Sequence, residues 1–180
     1  MTDKEREKAL DLLARTRVTL QTAVDGVTAE ESVWKPIPER WSILEYVEHL
    51  AISDDGLISM VKRIMAEPPT PETPEQRAER EQHIRSTPIA RGTNHAPAAL
   101  VPPGRFATVS EAMAAFEAAR DRTLEFARTV DGDMRSHFAN HSVLGPLDAY
   151  QWLTANARHV EMHAAHIREL REQWAAQSSQ

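Results

Sequence analysis

Residues 157–170 read ARHVEMHAAHIREL, a run whose apolar residues recur at helical spacing and which carries His159, His163 and His166. Residues four apart share a helix face, so His159 and His163 can present ring nitrogens to one point about 2 Å from each. At about 100° per residue, Trp152, Asn156, His159, His163 and Leu170 form one stripe, with His163 near its centre and His166 at its edge. That stripe is expected to look into the molecule, where each imidazole must find a partner or lose hydrogen-bond energy. A metal ion would satisfy them together.

Three further segments carry the same periodicity, and no stretch shows the alternating β-branched pattern of strands bounded by turn residues. The sequence therefore predicts a single all-α domain over residues 1–180. The first helix is expected from Asp3 to Val24, opened by Thr2 and Glu5 in capping-box spacing, carrying Leu10, Leu13, Val18 and Leu20, and released at Gly26. The second runs from Ile43 to about Met65 behind Ser42 and Glu45, with the ridge Ile43, Val47, Leu50, Leu57, Val61 and Ile64. The third begins at Thr108 and runs to about Val130, packing Met113, Phe116, Leu124 and Phe126; the fourth spans about Leu147 to Trp174, before a polar tail at 176–180. Four such helices suggest a four-helix bundle, whose core is a common place for a ligand or metal. Residues 68–107 hold eight of the chain's 11 prolines, which forbids a continuous helix there. PEQRAEREQHI (74–84) is a candidate short polar helix inside this connection, which reads either as a lid or as a disordered segment.

Composition narrows the chemistry. With no cysteine, there is no thiol nucleophile or thiolate ligand, and a metal site must be built from His, Asp and Glu. A net charge of -6 with interspersed signs offers no basic stripe for a phosphate backbone, so nucleic acid is not an expected partner. MTDKEREKAL is charged where a signal peptide needs an apolar core, and no run of about 18 apolar residues is present. A soluble, cytoplasmic protein without a membrane partner is the expectation.

A third ligand is sought on another helix. His49 lies on the shoulder of the second helix's apolar ridge, one turn after Glu45, which shares its face and is placed to accept the second ring N–H or to add a carboxylate ligand. Three histidines from two helices would hold a divalent ion and leave positions for water, the layout of a catalytic rather than a closed structural site. His166 reads either as a polar neighbour supporting the ligands or as a satisfied core histidine. His83 and His95, in the Pro-rich connection, and His137 and His141, in the loop from Asp131 to Pro146, read as solvated; His141 reaches the site only if that loop folds inward.

Other signatures are missing. HVEMH puts Glu161 two residues after His159, whereas a zincin helix needs HExxH. Neither EYVEH nor NARHVEMH supplies the Glu-x-x-His of di-iron bundles. There is no G-x-S-x-G elbow, and the six glycines are scattered singly, so no phosphate-cradling loop is present. Trp41, just before Ser42, reads first as a core aromatic and second as a staple for the start of its helix; Trp34 and Trp152 also read as core, and Trp174 as a candidate interface residue.

WKPIPERWSILEYVEHL (34–50) resembles the segment of the DinB/YfiT-like superfamily in which a Trp-Ser pair opens the second helix and a His follows two turns later. ARHVEMHAAHIREL is similar to that superfamily's last helix, where His-x-x-x-His is commonly followed three residues on by Gln; here His166 stands in its place. With TLQTAVDGVTAEESVW (19–34) as lead-in, the likeness covers most of the chain outside the Pro-rich connection. The resemblance implies an up-down-down-up four-helix bundle, frequently dimeric, with a metal on His49, His159 and His163, the triad that spacing alone selects. It further implies a metal-dependent enzyme acting on a small molecule: a transferase or isomerase using a low-molecular-weight thiol such as bacillithiol, mycothiol or glutathione, or a hydrolase. Imidazole suits zinc, nickel and iron alike. Thiol S-transfer leads slightly, because no residue stands out as a general base; Glu45 or Asn156 is expected to orient the ligands. The alternatives are a non-catalytic metal-binding or stress-response protein and a metal-free bundle.

Overall fold

The computed structural model describes residues 1–87 and 96–178. Six helices are present among them: α1 (Asp3–Val24), α2 (Ala29–Val33), α3 (Ile43–Ala66), α4 (Pro74–Ser86), α5 (Val109–Thr129) and α6 (Ala149–Ser178), with a 3₁₀ turn at Ala98–Leu100 and strands β1 (Phe138–His141) and β2 (Gly145–Asp148). The caps do what their sequences dictate. Thr2 and Glu5 form a capping box on α1, and Ser42 and Glu45 one on α3, each satisfying two backbone donors that the first turn leaves open. Trp41 meets Tyr46 edge-on at 5.5 Å, an apolar contact across the helix start of the staple kind. At the other end of α1 the chain turns through Gly26 at φ +69°, a left-handed conformation that glycine adopts without a Cβ clash.

The long helices form a bundle in which α1 and α3 each pack against both α5 and α6. The whole expected ridge of α3 is buried, from Ile43 to Ile64. On α1 the buried stripe is Ala9, Leu13, Thr16, Leu20 and Ala23, while Val18 is 58% exposed, contrary to expectation. Val18 lies two residues beyond Thr16, about 200° around the helix and so on the opposite face. On α6, Leu153, Ala157, Val160, Ala164 and Ile167 are fully buried. The histidine stripe lies beside this apolar face, not at its centre.

Two apolar clusters divide the core, one around Leu20, Val47, Leu50, Phe116, Val160 and Ile167, the other around Leu13, Leu57, Val61, Leu124 and Leu153. A fully buried ion pair joins α5 to α3: Arg120 donates through Nε to Asp54 at 3.0 Å, and also to the Leu13 carbonyl at 3.0 Å and the Thr16 hydroxyl at 3.1 Å. The Thr123 hydroxyl donates to the other Asp54 oxygen at 2.9 Å. The sequence reading missed this network.

The connection from Asp131 to Pro146 is not the plain loop expected. β1 and β2 pair antiparallel, with Phe138 opposite Asp148 and His141 opposite Gly145, so the domain is mostly helical with a small hairpin rather than purely α. Four-residue strands carry too little alternation to be read from sequence. The hairpin is held by its surroundings: Trp152 Nε1–H donates to the Ala139 carbonyl at 3.3 Å, and the Arg80 guanidinium lies 4.8 Å from the Phe138 ring. α6 begins two residues later than expected because Asp148 and Gln151 form the capping box.

Inside the Pro-rich stretch, α4 forms over the expected polar segment and buries none of its residues. It is fastened by charge. Arg80 binds Glu72 through two bonds of 2.7 Å, Asp148 at 3.1 Å, and Gln151; Arg135 binds Glu81 at 2.6 Å. His95 lies outside the described residues.

Candidate metal centre

His49 stands on the second turn of α3; His159 and His163 stand one turn apart on α6, across the seam where α3 and α6 pack. Their Nε2 atoms converge. His49 Nε2 is 3.0 Å and His163 Nε2 is 2.9 Å from His159 Nε2, and one nitrogen from each ring lies within 4.8 Å of the others. Two nitrogens bound at about 2.0–2.1 Å to one ion, at angles of about 90–110°, lie roughly 2.9–3.4 Å apart, so the spacing is that of ligands to a common cation.

Proton counting reaches the same conclusion. His49 Nδ1 is 2.7 Å from the Leu100 carbonyl, which only accepts, so Nδ1 carries the proton and Nε2 presents a bare lone pair. A proton on His159 Nε2 can be donated well to one of its two neighbours, not to both. Without a cation, one of the two short contacts is left without a shared proton unless a ring takes an extra one. Burial opposes that extra proton. It lowers the pKa of His49, only partly offset by the Leu100 hydrogen bond, and together with the charges of the neighbouring histidines it pushes His159 down to about 3 and His163 lower still. Three neutral imidazoles, their lone pairs aimed at one place, fit a divalent ion.

The surroundings differ from expectation in instructive ways. Glu45 does not turn to His49: its carboxylate accepts from Ser42 N–H at 2.7 Å and pairs with Lys35 at 2.7 Å, so the N-terminal box of α3 has claimed it. The Leu100 carbonyl takes the ring proton instead, bringing the 3₁₀ turn of the Pro-rich connection onto the site. No side-chain signal could have disclosed a backbone carbonyl. Asn156 likewise serves another network, accepting from Arg120 at 3.4 Å and donating to Ser53 at 3.1 Å. His166 Nδ1 lies 3.3 Å from His163 Nδ1. Trp41, read from sequence as a core aromatic or a staple, also lies against His49 at 4.8 Å and helps to wall the site.

The remaining histidines separate. His83 is exposed on α4, and His137 is bound through Nδ1 to the Glu67 carbonyl at 2.7 Å. His141 is half-buried rather than solvated, its ring 5.1 Å from Trp152. Trp174 packs on Trp34 of the same chain at 5.7 Å. Among the described residues no helix is long and apolar enough to cross a membrane.

A four-helix bundle with a histidine triad split between two helices defines a class of candidate metal-binding bundles. Residues 12–167 match the sequence profile of the DinB superfamily, and the chain belongs to that superfamily. It is 22% identical over 166 residues to the uncharacterized protein YuaE of Bacillus subtilis, spanning 91% of this chain and 97% of that one. Its fold is similar to that of YfiT from Bacillus subtilis, described as a probable metal-dependent hydrolase with an unusual four-helix bundle topology, at TM-score 0.65 and 18% identity over 97% of this chain and 90% of that one. A conserved protein from Enterococcus faecalis is similar at TM-score 0.55 and 16% identity, covering 94% and 97% of the two chains.

Proposed function

We propose that this protein is a divalent-metal-dependent hydrolase acting on a small molecule, with Nε2 of His49, His159 and His163 as ligands. The observation that carries the reading is the approach of His49 Nε2 and His163 Nε2 to His159 Nε2, at 3.0 and 2.9 Å, with one nitrogen of each ring within 4.8 Å of the others. Zinc, nickel and iron all suit an imidazole set. A divalent cation held there would supply Lewis acidity, lowering the pKa of water or of a thiol and polarising a carbonyl. The chain's own part is to hold the rings. Leu100 fixes the proton of His49 on Nδ1, His166 stands beside Nδ1 of His163, and Trp41 and Tyr46 pack against His49 and His163. Likeness to YfiT supports hydrolysis as the reaction class.

A second reading, S-transfer from a low-molecular-weight thiol, is favoured by one feature: three neutral ligands leave the cation's charge uncompensated, which suits a thiolate, and with no cysteine in the chain the thiol would come from a cosubstrate. The up-down-down-up course of the helices belongs to this proposal, supported by the packing of α1 and α3 against both α5 and α6. A homodimer and a cytoplasmic location complete it. The test is elemental mass spectrometry on untagged protein purified without added metal, beside His49→Ala and His159→Ala, followed by ester, amide and thiol-transfer assays with and without chelator. Stoichiometric metal lost in both variants, with chelator-sensitive turnover, is the expected result. A protein that binds metal but turns over nothing would be a metal-binding protein instead, and one that takes up none would overturn the reading.

A further inference from the structure

His141 ends β1, opposite Gly145, and its ring lies 5.1 Å from Trp152, on the stripe of α6 that carries His159 and His163. Trp152 precedes His159 by seven residues, about 10 Å along the helix. The imidazole is close enough for its charge to depress His159 further. Its own turn fixes its protonation. The backbone N–H groups of Val143 and Leu144 both point at Nδ1, at 3.1 and 3.2 Å. A nitrogen that accepts two hydrogen bonds carries no proton, so in the neutral ring the proton sits on Nε2. Among the described residues that Nε2–H makes no hydrogen bond. Burial lowers the His141 pKa and so favours this neutral form.

The same fact excludes a tempting alternative. To become a fourth ligand through Nε2, the neutral ring would have to move its proton to Nδ1, against two N–H groups already aimed there. The hairpin therefore makes His141 a donor and not a ligand, in keeping with its place outside the triad of converging nitrogens.

We propose that His141 is the hydrogen-bond donor to the ligand of the three-histidine site, offering Nε2–H to an anionic or carbonyl acceptor atom of a small molecule held there. This inference rests on His49, His159 and His163 binding metal. It gives the hairpin, whose Leu147 also fills the core, a part in ligand recognition.

The test uses cobalt(II)-loaded full-length protein titrated with azide at pH 7.5 and followed by the visible cobalt bands. His141→Asn keeps an acceptor for the turn and removes the distal donor; His141→Gln places an amide donor near the Nε2 position. Both variants are expected to load cobalt as the wild type does. The azide Kd should rise about tenfold or more in His141→Asn, as for loss of a hydrogen bond to a charged group, and return to within about threefold of wild type in His141→Gln. Full cobalt loading with an unchanged azide Kd in His141→Asn would overturn the donor role alone. Loss of cobalt in His141→Asn would show a ligand and overturn it too. A wild type that loads no cobalt would remove the metal reading, and this inference with it.

Discussion

His49 Nδ1–H donates to the carbonyl of Leu100 at 2.7 Å, joining a histidine of α3 to a backbone group 51 positions later in the chain. Ligand histidines commonly depend on such a partner for ring orientation and basicity, and losing it typically costs about 10–100-fold in metal affinity. Replacing residues 97–101 by a Gly/Ser segment of equal length should therefore weaken metal binding by about that factor, measured by competition with a chromogenic chelator. The metal-free urea midpoint should move little, since the 3₁₀ turn buries none of its residues. Equal affinity in the replaced protein would show that the turn does not support His49.

Metal removal should destabilise the wild type but not the triad variants, because a ligand that binds only the native state adds about 2.7 kcal/mol at a free concentration 100 times Kd. Calorimetry with and without chelator is expected to show a lower wild-type Tm on chelation and an unchanged Tm in His159→Ala. An equal fall in both would mean that the chelator acts elsewhere.

The metal-free protein should lose stability on acidification. His49, His159 and His163 are held below the ordinary imidazole value, first by burial and, for the α6 pair, also by neighbouring histidine charge. Below about pH 6.5 the unfolded chain therefore binds more protons than the native one, and stability falls with pH, the share of His159 being complete only where the native ring titrates at about 3 and that of His163 lower still. Urea midpoints at pH 7.5 and 5.0 test this, with a shallower slope expected for His159→Ala; parallel slopes would contradict it.

Asp54 and Arg120 are both fully buried, so removing one strands the other. Asp54→Ala should cost about 3–5 kcal/mol, whereas Asp54→Leu with Arg120→Met should lie much closer to wild type. Urea unfolding of both variants decides, and a cheap single substitution would mean that water reaches the pair.

α4 buries no residue and is tied down through Arg80 and Glu81. In Arg80→Met, hydrogen exchange over α4 should accelerate while α3, α5 and α6 keep their protection. Unchanged protection in α4 would show that its tether lies elsewhere.

What could be read in the sequence follows from where the physics is local. Ile43 to Ile64 betray the buried face of α3 because helical spacing alone puts them together, and His159 with His163 betray a pair of converging ring nitrogens for the same reason. Glu45 misled because one carboxylate had two suitors, the N-terminus of α3 and the His49 ring, and only the folded chain shows which prevails. Val18 misled because apolarity was weighed without its angle around α1. Leu100, the hairpin and the Asp54–Arg120 pair depend on contacts between distant segments, and no local pattern announces those.

α6 keeps its two stripes apart. Leu153, Ala157, Val160, Ala164 and Ile167 fill the bundle, while His159 and His163 face His49 on α3 and Trp152 faces the hairpin. If the triad binds metal as proposed, substitutions at His159 should change what is bound more than they change packing, and interior substitutions should change thermal resistance more than the ligand set. Such a helix lets chemistry and durability diverge independently over evolutionary time. For an engineer it marks which positions to randomise for new reactivity and which to leave alone.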